Sequence, residues 1–251
     1  MKHDFEDVEV KENAPQLLKE ALRRKRQRCM IATGAMCDPY MPCEEQLGIT
    51  RKCLEVIEAY GFGASFQTKS DLFLRDIELL KSIHHRVKCV VQMTLTTFDE
   101  ALCRIVEPNV CTTRRRYEAL KVCQAEGIPT VVWLTPLLPF LNDTEENLRG
   151  ILDLCFDAGV KGIIFFSGGG MTLRDGDREY YYAALDRHFP GLKSRYIETY
   201  GNCYELPSPN GYRLTKLLHH LCRKNGVMCD NGAIFTDIRQ LGESFEQIHL
   251  F

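Results

Sequence analysis

Met30-Ile-Ala-Thr-Gly-Ala-Met-Cys-Asp38 is an apolar run that ends in small and polar residues, and three similar runs follow it. They are Ala64-Ser-Phe-Gln-Thr-Lys-Ser70, Val87-Lys-Cys-Val-Val-Gln-Met-Thr-Leu-Thr96 and Thr130-Val-Val-Trp-Leu-Thr-Pro136. A segment with helical spacing follows each run, and this alternation predicts a parallel α/β barrel. Barrel chemistry takes place where the carboxyl ends of the strands meet. The pattern therefore predicts one mouth that is lined by Asp38, Lys69, Thr94, Thr96 and Thr135.

A fifth apolar run, residues 163–166, is the last one that predicts a barrel strand, so we expect five strands. The chain after it has helical spacing over 177–188, 192–200 and 210–225. We therefore expect one domain over 1–251, with a barrel core at 14–170 and a helical C-terminal extension at 171–251. The length of 251 residues is typical of such a barrel.

The overall composition excludes several function classes. A net charge of −2 argues against a large basic footprint for nucleic acid. No run approaches the about 18 apolar residues of a membrane span, and the charged stretch from Lys2 to Lys11 predicts no secretory signal. We therefore expect a cytoplasmic protein without membrane contacts. Its 12 cysteines contain no C-x₂-C pair, so we expect reduced thiols that mostly fill core positions.

Asp38 and Lys69 are the charged candidates at the predicted mouth. Asp38 can accept hydrogen bonds from an amine or a ribose, or it can initiate a turn before Pro39. Lys69 ends an apolar strand, where its charge needs solvent or a partner. Its two readings are binding of a carboxylate or phosphate ligand and an ion pair with a nearby aspartate, Asp71 or Asp76.

The uncharged candidates carry weaker signals. Thr94 and Thr96 alternate with apolar residues, so they share one face of a strand and can bind a polar ligand or reflect only the β-propensity of threonine. Ser167-Gly-Gly-Gly170 lacks the spacing of a phosphate-binding loop and favours a plain loop. The pairs His84-His85 and His219-His220 diverge by ~100° on a helix, so we expect no metal site from them.

Five segments in a fixed order resemble one known family. They are Val10-Lys-Glu-Asn-Ala14, Gly34-Ala-Met-Cys-Asp-Pro-Tyr40, Thr68-Lys-Ser-Asp-Leu-Phe-Leu-Arg-Asp76, Thr96-Thr97 with Glu107-Pro108, and Pro136-Leu-Leu-Pro139 through Asn142-Asp143. Each is weak alone, and together they resemble the spore photoproduct lyase-like branch of the radical S-adenosylmethionine superfamily. The resemblance spans residues 8 to 225.

The resemblance implies a partial (β/α)₆ TIM-type barrel and a redox cofactor. In the family, a C-x₃-C-x₂-C loop after the first strand holds a 4Fe-4S cluster, whose open position binds S-adenosylmethionine. Reductive cleavage of that cofactor then allows hydrogen abstraction from a substrate. The implied cofactors are S-adenosylmethionine and the cluster, and the implied partners are an unknown substrate and a reductant such as a ferredoxin or flavodoxin. DNA as a substrate is not supported by the charge.

The sequence departs from the family where the cluster should be bound. The C-x₃-C-x₂-C loop and the first strand should precede Lys11, and neither occurs in the 251 residues. We expect an N-terminally clipped enzyme, with a degenerate member that lacks a cluster as the alternative. Cys37 and Cys43 flank the mouth loop, but their spacing differs from that of the cluster ligands. No metal ligand is therefore predicted in this chain.

The resemblance also assigns cofactor contacts residue by residue. Residues 33–36 match the segment that contacts the methionyl amine, with Asp38 beside them. Lys69 matches the partner of the methionyl carboxylate, Thr94 and Thr96 would face the ribose, and residues 134–136 would line the adenine. The predicted cofactor-binding residues are Thr33, Gly34, Ala35, Met36, Asp38, Thr68, Lys69, Thr94, Thr96, Thr135 and Pro136. No catalytic residue is predicted.

Three functional hypotheses follow from these observations. The first is a radical S-adenosylmethionine enzyme with an unknown substrate. The second is a non-catalytic binding protein of the same fold that lacks the cluster. The third is an unrelated barrel enzyme that uses Lys69 as a Schiff-base lysine, which requires a depressed pKa and a dry pocket.

Overall fold

A five-stranded parallel sheet forms the centre of the protein. The computed structural model describes residues 8–166 and 169–241 of the chain. The strands follow one another in the sheet in chain order. They are β1 (Met30–Thr33), β2 (Gly63–Thr68), β3 (Cys89–Thr94), β4 (Thr130–Trp133) and β5 (Gly162–Ile164). This arrangement confirms the predicted parallel sheet, since each run pairs with the next.

Helices connect and extend the strands. They are α1 (Ala14–Arg24), α2 (Glu44–Leu47), α3 (Ile49–Tyr60), α4 (Ile77–Arg86), α5 (Glu100–Val106), α6 (Thr113–Ala125), α7 (Glu145–Asp157), α8 (Asp177–His188), α9 (Leu192–Tyr200), α10 (Gly211–Asn225) and α11 (Asn231–Arg239). A 3₁₀ segment, Leu72–Asp76, precedes α4. The result is a mixed α/β fold that resembles part of an α/β barrel. No helix in the described part of the chain is long and apolar enough to cross a membrane.

The two faces of the sheet differ in chemistry. On the outer face, Phe66, Met93 and Val132 belong to the main core with the apolar sides of α3, α4, α6 and α7. On the inner face, Gln92 donates to Ser65 Oγ at 2.8 Å and accepts from the Trp133 indole N–H at 2.8 Å. Side chains alternate between the faces of a strand, so the buried inner polar groups satisfy one another across three strands.

α11 covers one end of the inner face. Ile234 and Ile238 pack against Val90, Val131 and Ile164 in a separate buried cluster. The ammonium group of Lys88 donates to the backbone carbonyls of Asp237 and Gln240, which fixes the helix to β3. The last segment with helical spacing ends at residue 225, so α11 is a helix that the sequence pattern does not predict. Its signals are the Asp230 side chain, which accepts from the Ala233 N–H at 2.7 Å as an N-cap, and the i, i+4 pair of isoleucines.

The C-terminal part also contains two short strands. β6 (Met171–Thr172) pairs antiparallel with β7 (Glu205–Leu206), although the spacing predicts helices throughout this part. α8 and α9 pack Tyr182, Leu185 and Tyr196 into a second buried cluster. A strand of two residues is too short to show an alternation of apolar and polar side chains, so the sequence does not reveal it. The Ser167–Gly170 loop lies partly outside the described residues, since 167 and 168 are not described, and so does the leader up to residue 7.

Several strands end before the predicted position. β1 ends at Thr33 although its run continues to Asp38, because Gly34 turns the chain with a φ of 98°. β3 ends at Thr94 although its run continues to Thr96, and β4 ends at Trp133 although its run continues to Pro136. After β3 and β4 the chain stays buried at Leu95 and Leu134, so apolar residues continue past the last paired residue. Run length therefore overestimates strand length at the mouth.

Candidate functional site

A cavity of about 370 Å³ opens at the carboxyl ends of β1 to β4. Its lining residues are Gly34, Ala35, Met36, Cys37, Asp38, Gln67, Thr68, Lys69, Thr94, Thr135 and Pro136. All of the predicted cofactor-binding residues except Thr33 and Thr96 lie in this lining. We call this space the mouth cavity. The order of the parallel strands brings these residues together, since each belongs to the end of a strand or to the loop that follows it.

Asp38 fastens the loop after β1 to the end of β2. Its Oδ1 accepts from the Thr68 hydroxyl at 2.7 Å and from the Tyr40 N–H at 2.9 Å. Its Oδ2 accepts from the Lys69 N–H at 2.7 Å. The contact with Tyr40 is the turn that the sequence suggests, and the other two contacts join this loop to the next strand, while binding of a ligand by Asp38 stays a prediction. A carboxylate has about four lone-pair sites, so Asp38 keeps room for one further donor.

Gly34 allows this loop to approach β2 closely. A Cβ atom at this position would lie 2.3 Å from the Gln67 carbonyl oxygen and 2.7 Å from the Gln67 nitrogen. These are backbone atoms of the neighbouring strand and cannot move aside as a flexible side chain would. Together with its positive φ, this contact makes glycine the residue that fits here. The close approach places residues 35–38 over the end of β2.

Lys69 is held by a carboxylate that the sequence analysis does not name as its partner. Its ammonium nitrogen lies 2.6 Å from Glu107 Oε1, whereas the sequence suggests Asp71 or Asp76. Asp71 instead pairs with Arg115, and Asp76 pairs with Arg51 and Arg75. The correction has a topological reason. Glu107 follows α5 and is brought to the mouth by the chain that connects β3 to β4, which local spacing does not reveal.

Arg116 holds the other oxygen of Glu107. Its Nη1 lies 2.9 Å from Glu107 Oε2 and also donates to the Thr94 carbonyl at 3.0 Å. Its Nε donates to the Cys111 carbonyl at 2.8 Å. The Arg116 side chain is 0% exposed, and its Nη2 has no hydrogen-bond partner in the described structure. A guanidinium buried this completely needs a carboxylate, and Glu107 provides it.

The two cations determine the charge state of Glu107. Burial alone raises the pKa of this carboxyl, but Lys69 and Arg116 more than offset that effect. The pKa of Glu107 therefore lies below its ordinary value, and the group is ionised at neutral pH. We call Lys69, Glu107 and Arg116 the mouth triad. With two positive charges and one negative charge, the triad carries one net positive charge at the edge of the mouth cavity.

Thr33 and Thr96 do not line the mouth cavity. Thr33 borders a larger, mainly apolar cleft of about 520 Å³ between α1, α3 and the outer face of β1. Thr96 is 4% exposed, and its carbonyl accepts from the side-chain amides of Asn142 and Asn147. β3 ends at Thr94, two residues before Thr96, so the alternation of side chains along the strand does not place Thr96 on the same face as Thr94.

The loop between β1 and α3 is fixed by a second group of buried charges. Glu44 accepts from the backbone N–H groups of Ile49 and Thr50 at 3.0 Å each and pairs with Arg75 at 2.6 Å. The Tyr40 hydroxyl donates to Asp76 at 3.1 Å, and burial together with the nearby carboxylate raises the pKa of Tyr40. These contacts hold one wall of the mouth cavity in place before any ligand enters.

Sequence reasoning missed Gln67, Glu107 and Arg116 as site residues. Gln67 lines the mouth cavity, and its amide donates to the Thr94 hydroxyl at 3.3 Å. Its signal is a polar residue inside an apolar strand, two residues before Lys69. Glu107 has a signal in the Glu107-Pro108 pair of the resemblance. Arg116 is one of three consecutive arginines and has no signal that separates it from its neighbours.

The described residues do not fit a cluster site. They contain no group of three or more histidine, cysteine, aspartate or glutamate residues that can hold a metal ion. All 12 cysteines are free, and burial raises the pKa of Cys89, Cys123, Cys155 and Cys222, which keeps these thiols protonated. Cluster ligation needs thiolates. Within residues 8–166 and 169–241, therefore, no set of side chains is arranged to hold a 4Fe-4S cluster.

Comparisons with known protein sequences identify relatives of undetermined function. "Uncharacterized protein Rv2578c" of Mycobacterium tuberculosis is 32% identical over 206 residues, which cover 81% of this chain and 60% of the relative. "Uncharacterized protein MJ0683" of Methanocaldococcus jannaschii is 33% identical over 138 residues, covering 55% of this chain and 50% of the relative. The chain thus spans about three fifths of the first relative's length. No family model matches the chain.

Solved structures with some likeness to this fold include two proteins in complex with ligands. Streptococcus suis SuiB bound to its precursor peptide SuiA gives a TM-score of 0.47 at 14% identity and covers 73% of this chain and 42% of that chain. Native anSMEcpe with bound AdoMet and Cp18Cys peptide gives 0.44 at 13% identity and covers 76% of this chain and 53% of that chain. We draw no functional conclusion from a likeness at this level.

Proposed function

We propose that this chain binds S-adenosylmethionine in the mouth cavity, as the cofactor-binding part of a radical S-adenosylmethionine enzyme of the spore photoproduct lyase-like branch. One observation carries the proposal. The polar residues at four strand ends, which the resemblance assigns to this cofactor, surround one cavity with a net positive unit at its edge. The order of motifs in the sequence supports the same assignment.

The donor set of the mouth cavity matches the parts of S-adenosylmethionine. Lys69 suits the methionyl carboxylate, since its side chain is 36% exposed and belongs to the positively charged mouth triad. The Thr94 hydroxyl and the Gln67 amide suit the ribose hydroxyls. Asp38 and the backbone of Gly34–Met36 suit the methionyl amine, and Thr135 and Pro136 suit the adenine. Thr33 and Thr96 are left out of this set because they lie outside the cavity lining.

The radical reaction belongs to the whole protein and remains part of the proposal. The family's cluster supplies the electron that cleaves the bound cofactor, and an electron carrier such as a ferredoxin or flavodoxin would reduce it. The described residues do not fit that cluster, so we assign no reaction step to them. Their proposed work is to bind the cofactor, to orient it and to exclude water from it. The substrate is not assigned.

Binding of S-adenosylmethionine to the purified chain tests this proposal. We expect isothermal titration calorimetry to detect one site, and Lys69→Met to weaken it by about tenfold because a charge-assisted contact is lost. Lys81→Met is the matched control, since Lys81 lies on α4 and pairs with Glu126 outside the mouth cavity. Failure of the unaltered chain to bind the cofactor would overturn the proposal.

The second candidate is a binding protein of this fold that takes the same cofactor without a cluster. This candidate would use the same mouth cavity for the cofactor. Translation of the DNA upstream of Met1 in the same frame separates the candidates. A C-x₃-C-x₂-C motif there supports the enzyme, whereas an in-frame stop codon supports the binding protein. Iron and sulfide analysis of an anaerobic preparation is an independent measurement.

A Schiff-base lysine is less compatible with the site. The Lys69 side chain is 36% exposed and its ammonium is held by Glu107 at 2.6 Å, whereas a Schiff-base lysine needs a free amine in a dry pocket to attack a carbonyl. Borohydride reduction in the presence of small aldehydes and ketones tests this alternative. A covalent adduct on Lys69 by mass spectrometry would support an aldolase-type enzyme and count against cofactor binding as the function of the mouth.

A further inference from the structure

We infer that the mouth triad is a carboxylate receptor in which the buried Arg116 offsets the charge of Glu107, so that Lys69 keeps its attraction for an anionic ligand. The inference rests on the proposed function and extends it to a residue that touches no cavity. Arg116 is a positioning residue in this scheme, since it acts through Glu107 and Lys69.

The contacts of Glu107 explain why an offset is needed. Its Oε1 lies 2.6 Å from the Lys69 ammonium, so Glu107 alone would cancel the charge that a ligand carboxylate requires. Glu107 is 10% exposed, so water screens this attraction weakly. Arg116 approaches the other oxygen at 2.9 Å and restores one net positive charge to the group. Asp38 lies nearby, but its carboxylate turns toward Thr68 Oγ1 and two backbone N–H groups.

The burial of Arg116 indicates more than a structural clamp. Burying a guanidinium with 0% exposure costs free energy because the charge loses its contact with water. Two of its N–H groups donate to the carbonyls of Cys111 and Thr94 and so tie them to α6. An uncharged side chain could serve those carbonyls at lower cost. The Nη2 atom has no partner in the described structure, so the group is not optimised as a closed hydrogen-bond network. What the arginine provides beyond an amide is its permanent charge beside Glu107.

A charge series tests the inference with two ligands. The probes are S-adenosylmethionine and its decarboxylated form, which keeps the sulfonium and the amine but lacks the carboxylate. The measured quantity is the ratio of their dissociation constants, which we call the carboxylate preference. Arg116→Gln removes one positive charge from the triad, Glu107→Gln removes the negative charge, and the double variant has the original net charge. Calorimetry on each folded variant gives the ratio.

The expected order follows from the net charge of the triad. We expect Arg116→Gln to lower the carboxylate preference by about tenfold and Glu107→Gln to raise it by about tenfold, because one buried charge at this range changes a proton or anion equilibrium by that order. The double variant should return to the preference of the unaltered chain. Two folded proteins of this series whose triads differ in net charge are enough to measure the effect. The comparison therefore survives if one variant fails to fold.

Arg115→Gln is the matched control for Arg116→Gln. It changes the adjacent arginine, which is 65% exposed and pairs with Asp71, and it should leave the carboxylate preference unchanged. A preference that stays constant across the series, or that falls in Glu107→Gln, would overturn the inference and leave Arg116 a structural clamp while cofactor binding persists. An unaltered chain that binds neither ligand would overturn the proposed function and this inference together.

Discussion

Asp38 and Lys69 show how a residue at a strand end acquires its surroundings. Both lie where the sequence analysis expects polar contacts, but the partners come from other segments. Asp38 accepts from β2, and Lys69 pairs with Glu107 beyond α5. The hydrogen bonds of Asp38 to Thr68 and to the Lys69 N–H hold the loop after β1 against the end of β2. This loop cannot move without breaking them, so they make this wall of the mouth cavity rigid.

Asp38→Asn should lower the free energy of unfolding by about 1–3 kcal/mol, because the new amide places an N–H₂ donor against the Lys69 N–H or the Thr68 hydroxyl. Urea unfolding followed by circular dichroism measures the change. Asp153→Asn is the control, since Asp153 is exposed on α7 and should shift the midpoint little. Equal stability of both variants would mean that the Asp38 contacts do not persist in solution.

The pH dependence of stability should report on Glu107. Its pKa in the folded protein lies below the ordinary value of 4.5, so its ion pairs stabilise the fold above that pH and are lost as the pH falls through the folded pKa. The stability gap between the unaltered chain and Glu107→Gln should therefore be largest near neutral pH and shrink below about pH 4.5. Urea titrations at several pH values measure this gap. A gap that grows toward acid pH would contradict the assignment.

At the scale of elements, two threonines precede helices and differ in what their hydroxyls do. Thr144 caps α7 by accepting from the Asn147 N–H at 3.1 Å. Thr112 occupies the corresponding position before α6 but makes no capping hydrogen bond. The next residue, Thr113, donates instead to the Thr97 carbonyl. A threonine before a helix is thus a candidate cap, and of these two positions only Thr144 makes the capping hydrogen bond.

Thr144→Ala should lower the free energy of unfolding by about 1 kcal/mol, since the first turn of α7 loses the acceptor for one N–H group. Thr112→Ala is the matched control at the other helix and should change stability by only a few tenths of that amount. Thermal and urea unfolding of both variants measure the difference. Similar losses in the two variants would show that helix propensity, and not capping, governs these positions.

At the scale of the whole molecule, the inner face of the sheet is closed by a late segment of the chain. α11 brings Ile234 and Ile238 onto β3, β4 and β5, and Gly162 leaves room for Ile234, whose atoms lie 3.0 Å from where a Cβ would stand. Met228 pairs with Gly162 beside β5, so the chain before α11 also extends the sheet edge. Residues after the barrel strands thus complete the barrel core.

Ile234→Ala should lower the free energy of unfolding by about 2–5 kcal/mol, because a fully buried side chain leaves a cavity that the sheet cannot close. Arg239→Ala, on the exposed side of α11, should be nearly neutral. Urea unfolding gives the magnitude, and hydrogen exchange at β4 and β5 shows whether the loss reaches the sheet. A change below about 1 kcal/mol would mean that α11 does not pack there in solution.

The fold was predictable where local periodicity reflects burial. The alternation of apolar runs with helical spacing predicted the five parallel strands in chain order, because strands of a parallel sheet that helices cover are rich in apolar residues. Strand ends were less accurate, as at Thr94, since the loops beyond the ladder are buried too. α11 was missed although its cap and isoleucine pair are in the sequence, because a short helix carries few periods.

Most of the residues at the mouth cavity follow from the sequence, whereas Thr33 and Thr96 lie outside it and the contacts of the others come from the fold. Lys69 and Asp38 follow from their places at the ends of apolar runs, because parallel strands bring their carboxyl ends to one edge. The pairing of Lys69 with Glu107, and of Glu107 with a buried Arg116, depends on the path of the chain between β3 and β4. Lys69 and Glu107 lie 38 residues apart and meet there because the fold fixes both segments, and no spacing rule along the chain encodes such a contact.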